Sequence, residues 1–121
     1  MFSVMLKSKL HKLTVTQSEP DYEGSLAIDA ELLSTVKILP YEKILVSNLA
    51  NGNRFETYAV PARAGSGTVC LMGPASAQGA VGDRIIVFAF GMVAEEDLPH
   101  HKPLILVLGK DNKPIGGLKD V

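Results

Sequence analysis

The sequence is poor in the residues from which most recognisable sites are built. Its 121 residues include one cysteine, Cys70, and three histidines. A single cysteine excludes an intrachain disulfide and a cysteine-rich zinc cage, and it suits a reducing setting. The histidines make a poor metal set. His100 and His101 are adjacent, so in extended chain they point to opposite faces. His11 stands beside Lys7 and Lys9, whose charge opposes a cation. No metal is expected. Neither sign of charge is in excess: Lys and Arg number 12, Asp and Glu 13. They are interspersed, so neither a basic stripe for nucleic acid nor an acidic tail is present. The longest apolar run, Ile85–Ala94, is far short of the roughly 20 residues of a membrane-spanning helix. The N-terminal "MFSVMLKSKLHK" lacks the layout of a signal peptide. A soluble cytoplasmic protein is expected, with no nucleic-acid or membrane partner. "RAGSG" (63–67) lacks the Walker Lys-Ser/Thr and opens a strand rather than a helix, so it reads as a plain turn. Neither a Rossmann fingerprint nor a G-x-S-x-G elbow is present.

What is present is a succession of short strands. Hydrophobic residues make up 46% and charged residues 21%, which is the globular range. At this length one domain, residues 1–121, with a real core is expected. "MLKSKLHKLTVT" (5–16) suits a first strand, with Lys7, Lys9 and His11 on one face because strand side chains alternate. "IDAELLSTVKI" is the best helix: Asp29 can cap it, Leu32, Leu33 and Val36 line one side, and Pro40 ends it. "KILVSN" and "RFETYAV" flank the hairpin signal Asn51-Gly52. On the second of these strands Arg54, Glu56 and Tyr58 share a face. "GTVCL", "RIIVFAFGMV" and "LILVLG" are further strands, the middle one the most buried in character. "GPASAQGAVGD" suits a close backbone approach or a short helical turn. Residues 109–121 read as a loose tail. Many short strands with one or two short helices make a small β-barrel or sandwich.

Two features carry chemistry. Lys9 and Arg54 lie on different strands: as cations converging in a pocket they suit a substrate with two carboxylates, whereas spacing alone reads them as solvated surface positions. The second feature is Gly24-Ser25, inside "DYEGS". A serine hydroxyl can attack the carbonyl of the preceding residue, moving the acyl group from nitrogen to oxygen. Elimination from the resulting ester breaks the chain and leaves a dehydroalanine. Water then releases ammonia and leaves an N-terminal pyruvoyl group. Glycine leaves the carbonyl open to attack and lets the turn strain. Gly-Ser is also an ordinary turn pair, and alone it indicates nothing more.

Taken together, "MLKSKLHKLTVT", "DYEGSLAID", "NGNRFETYAV", "GPASAQGAVGD" and "RIIVFAF" closely resemble the pyruvoyl-dependent aspartate 1-decarboxylase family, in its order and at its spacings over nearly the whole chain. The resemblance implies a six-stranded double-psi β-barrel assembled as a homotetramer. It implies self-cleavage between Gly24 and Ser25, into a β chain of residues 1–24 and an α chain of residues 25–121. The cofactor implied is a covalent pyruvoyl group derived from Ser25. It forms a Schiff base with L-aspartate and withdraws the electron pair that departing CO2 leaves behind. The product is β-alanine, which feeds pantothenate and coenzyme A synthesis. By position, Tyr58 is the proton donor, Lys9 and Arg54 clamp the substrate carboxylates, and Thr57 contacts substrate or assists the processing oxyanion. Backbone around Gly73, Pro74 and Ala75 lines the pocket. An accessory maturation protein is a candidate partner. Two positions depart from the family pattern "NGAA": Met72 offers no amide donor, and Pro74 has no N–H. They open two alternatives, a poorly processed or non-catalytic homologue that binds a small acid, and a decarboxylase of another amino acid. Position 26, often Cys in the family, is Leu here, which is expected to pack without consequence.

Overall fold

The structure is a computed structural model, and it describes all 121 residues. Strands dominate. β1 spans Phe2–Thr14, β2 Gln17–Glu19, β3 Ser25–Asp29, β4 Lys43–Asn48, β5 Arg54–Ala62, β6 Val69–Met72, β7 Arg84–Ala94 and β8 Leu104–Val107, with one α-helix, α1, at Ala30–Thr35. They form one mixed sheet in the order β2-β6-β3-β5-β4-β7-β1-β8. The three-residue β2 and four-residue β8 stand at the two ends of that order and leave six strands between them.

The sheet curls round on itself. β1 and β2 are consecutive in the chain yet lie near opposite ends of the strand order. The Val15-Thr16 link must therefore carry the chain across. It does so with Thr16 N–H donating to Val69 O and Val69 N–H donating to the Thr16 hydroxyl. A barrel closed in this way has no long free edge to invite pairing with other chains.

Alternation decides which side of each strand faces the core. In β1 Ser8, Leu10 and Leu13 are buried while Lys7, Lys9 and His11 are half-buried on the other face. Register shifts between Leu6 and Ser8 and between His11 and Leu13 bend the strand along β7, the usual effect of a bulge. β7 is two-faced rather than buried throughout: Ile85, Val87 and Ala89 point in, and Ile86, Phe88 and Phe90 point outward. The core is a single cluster of 20 apolar residues, with Leu10, Leu26, Ile28, Ile44, Leu71 and Ile85 almost wholly enclosed.

α1 is shorter than its sequence pattern. Asp29 caps it by accepting the Glu31 N–H, and Leu32, Leu33 and Val36 are buried as expected. The helix stops well before Pro40, because Lys37 turns left-handed at φ 59° and the N–H of Ile38 reaches back to Leu33 O. Residues 109–121 are not a loose tail throughout. Asn112 is buried, accepting from Thr14 N–H and donating to the carbonyls of Thr14 and Gly67. Ile115 and Lys119 donate backbone bonds to Val107 and Ile105. The sequence shows small and polar residues here, but not that one amide side chain fits between two loops. No helix is long and apolar enough to cross a membrane.

Candidate active site

β3 is buried along all five residues, and its first residue is Ser25. Antiparallel pairing with β6 sets Ser25 opposite Met72, and parallel pairing with β5 sets Leu26 opposite Ala59. Tyr58 is therefore one residue from the position beside Leu26. Both register relations bring the loop after β6 and the middle of β5 to the Gly24-Ser25 bond.

The loop is a 3₁₀ turn, Gly73–Gln78, and it packs directly on that bond. Gly73 has φ 62°, and a Cβ there would lie 2.6 Å from Tyr22 O and 2.7 Å from Gly24 N. Only glycine permits this approach. The Pro74 ring closes over Gly24 at 3.1 Å from where a Cβ would stand. The loop is held from behind: amide groups of Asn48, Asn51 and Asn53 all donate to Gln78 O, and Asn48 and the Ala80 N–H donate to the Asp83 carboxylate. The Asn48 bond leads the effects that hold Asp83 below the usual carboxylate range.

A cavity of about 390 Å³ opens beside the bond, lined by Gly24, Ser25, Phe55, Glu56, Thr57, Tyr58, Pro74, Ala75 and Gln78. Ser25 is only 3% exposed, whereas Tyr58 is 37% exposed and tilts against Tyr41 at 6.2 Å between ring centroids. Ser25 also borders a second groove with Tyr22, Tyr58 and Met72. Glu56 is the one acid in the first cavity's lining, and Lys43 pairs with it at 2.7 Å.

The structure thus brings together Gly24, Ser25, Thr57, Tyr58, Pro74 and Ala75, with Gly73 against the bond. Lys9 and Arg54 are not in that lining. They lie together elsewhere, over the Phe88 ring at 5.7 and 5.9 Å from its centroid. Arg54 is four residues from Tyr58, or about 13 Å along β5. The cationic patch has further members. Burial first, then the charges of Lys9, Lys12, Lys119 and Arg84, hold the His11 imidazole below its ordinary range. Within one chain the candidate residues fall into two groups: the Gly24-Ser25 bond at a cavity, and a pair of cations on the outer sheet face.

Sequence reading missed Phe88, Met72 as a residue opposite Ser25, and the Asn48-Asp83 brace. The F-A-F alternation in β7 was the available signal for Phe88. For the brace no local signal exists, since its members are 35 residues apart.

The residues around position 25 fit a group built from the chain there. The bond is flanked by a glycine that admits close approach and by a cavity large enough for a small acid, with a phenol and a hydroxyl on its wall.

The family model for aspartate decarboxylase matches residues 1–115. Aspartate 1-decarboxylase of Syntrophobacter fumaroxidans is 47% identical over 98% of this chain and 97% of its own. That of Thioalkalivibrio sulfidiphilus is 45% identical over 100% and 96%, and that of Desulfotalea psychrophila 42% over 93% and 94%. With the Gly24-Ser25 bond held at the cavity as described, these likenesses extend across the whole fold, and the chain belongs to the aspartate decarboxylase family.

Proposed function

We propose that the protein decarboxylates L-aspartate to β-alanine and CO2, using a pyruvoyl group made from its own Ser25 by cleavage after Gly24. The observation that carries this reading is the Gly24-Ser25 bond, pressed between Gly73 and Pro74 at the mouth of a cavity walled by Thr57 and Tyr58. The chain's family membership supports the same conclusion.

The Ser25 hydroxyl attacks the Gly24 carbonyl, and cleavage leaves residues 1–24 and 25–121. Thr57, whose position on the cavity wall supports this role, donates to the oxyanion that forms. The pyruvoyl group, when present, supplies an electron sink for the pair left on Cα as CO2 departs. Tyr58 returns a proton to that carbon. Lys9 and Arg54 hold the two substrate carboxylates, Arg54 through the fork that matches a carboxylate. Glu56 is held to Lys43, which limits its repulsion of an acidic substrate.

Because the cation pair and the Ser25 cavity are separate within one chain, the complete site joins the Lys9-Arg54 face of one copy to the Ser25 cavity of a neighbour. A homotetramer of four α and four β chains provides such junctions. Relatives that carry the aspartate 1-decarboxylase name over nearly the whole chain favour aspartate over another amino acid, and catalysis over mere binding.

Intact-mass analysis with a β-alanine assay tests the reading. Two fragments that divide after Gly24 are expected, with β-alanine formed from aspartate and not from glutamate. Ser25→Ala is expected to remain one chain and be inactive. A wild-type chain that stays whole after long incubation and leaves aspartate untouched would sink it.

A further inference from the structure

We infer that Phe88 is a positioning residue that holds Lys9 and Arg54 apart from any carboxylate of the protein and so keeps both charges free for the substrate. The inference rests on the assignment of Lys9 and Arg54 as the carboxylate clamp.

The outer face of the sheet is a ladder read from the strand register. Lys9 pairs with Phe88, Phe88 with Leu45, and Leu45 with Glu56, giving one row across four strands. His11, Ile86, Ser47 and Arg54 form the next row. Four of the cations on this side are Lys7, Lys9, Lys43 and Arg54. Lys7 is bound to Glu42 at 2.7 and 2.9 Å, and Lys43 to Glu56 at 2.7 Å. These are the only two ion pairs of the chain, and Lys9 and Arg54 are in neither. Of these four, the two without a carboxylate are the two that sit over Phe88; Lys12, Lys119 and Arg84, the further cations around His11, are in no ion pair either.

An ion pair would hold a clamp cation in place, but it would also neutralise it, and substrate would have to displace the partner. A ring face attracts a cation through its quadrupole and carries no net charge. It can therefore restrain the position of Lys9 and Arg54 and leave their charge for an incoming carboxylate. The ring is itself well placed for this. β7 is hydrogen-bonded to β1 on one side and β4 on the other, and Phe88 stacks on Phe90 at 6.4 Å and 17° between planes. One aromatic side chain between β1 and β5 thus serves both cations.

The test replaces Phe88 with a fluorinated series of phenylalanines carrying one, two and three ring fluorines, which weakens the ring face at nearly constant shape. KM for aspartate is expected to rise stepwise, reaching about tenfold with three fluorines, with the change in KM and not in kcat. Phe88→Leu should raise KM at least as far, and Phe88→Tyr should keep most of the parent affinity. Intact mass checks that cleavage after Gly24 is complete in every variant compared. Arg54→Ala is the reference. If it raises KM while the fluorinated series stays flat, Phe88 does not position the clamp and the inference fails alone. If Arg54→Ala and Lys9→Ala both leave KM unchanged, the clamp assignment falls and takes this inference with it.

Discussion

β6 is entered from one glycine-containing turn and left through another, and the two turns meet opposite ends of β3. Before β6, the 63–67 turn points the N–H groups of Gly65 and Gly67 at the Asp29 carboxylate, which also accepts from Glu31. After β6, the Gly73–Gln78 turn presses on Gly24-Ser25. The first is a closed account of donors and acceptors around a buried anion. Burial alone would raise the Asp29 pKa, but the N–H groups of Gly67, Glu31 and Gly65 outweigh it and hold the carboxyl below its usual range. The second turn leaves a cavity, a proline without an N–H, and a serine at its edge. One strand therefore has a structural end and an end at the proposed cleavage bond, and the difference lies in whether the facing backbone finds its acceptor inside the protein.

The sharpest way to break that comparison is to add one methyl group to each turn. Gly73→Ala forces a Cβ into Tyr22 O and Gly24 N at under 3 Å. Displacement of the bond by about 1 Å is expected to slow self-cleavage by roughly 100-fold or more. At Gly65 the nearest atom to such a Cβ is a flexible Glu31 oxygen at 3.6 Å. Gly65→Ala should cost only the left-handed strain, about 1–2 kcal/mol, with cleavage unchanged. Fragment appearance by mass and urea unfolding read the two effects separately. Equal effects on cleavage would erase the distinction.

Met72→Asn restores an amide donor directly opposite Ser25. Since one oxyanion donor is worth roughly 10²–10³ in rate, cleavage should accelerate at least about tenfold in a time course of fragment formation. An unchanged rate would mean that donors elsewhere already serve the oxyanion.

At the structural end, Asp29→Ala strands three N–H groups and removes the cap of α1. A loss of about 3 kcal/mol is expected in urea unfolding, with cleavage after Gly24 still complete under native conditions. A variant equally stable but uncleaved would reverse the roles of the two ends.

The smallest effect is in pH. His11 has a depressed folded pKa, so the unfolded chain binds the extra proton and stability falls as pH drops below about 6.5. Asp29 and Asp83 are depressed carboxyls. Their stabilisation is present above about 4 and is lost as pH falls through their folded values. Melting temperature against pH should decline in two stages, and His11→Asn should remove the upper one. A single stage in the parent protein would show that His11 is not linked to folding.

Much of this was legible in the chain. Period-two alternation marks the faces of β1 and β5, Asn51-Gly52 marks the hairpin that joins β4 to β5, and Asp29 ahead of Leu32 and Leu33 marks a capped helix. These depend on neighbours in sequence. The sequence points to Pro40 as the end of α1, but the helix ends at Thr35 because the left-handed turn at Lys37, and not the proline, stops it. The order of residues 109–121 was missed because it hangs on Asn112 reaching Thr14 and Gly67, contacts 98 and 45 residues away.

The sequence by itself determined the β-rich fold class, the Gly24-Ser25 dipeptide as the candidate cleavage site and, through its motifs, the family to which the chain belongs, because alternation, turn chemistry and motif spacing are local properties. Only the tertiary structure decided that Gly73 lies within van der Waals contact of that dipeptide, that Met72 stands opposite Ser25, and that Lys9 and Arg54 meet over Phe88 instead of at the Ser25 cavity. Register and barrel closure set those meetings, and both follow from the packing of one shared core, which no single stretch of the chain encodes.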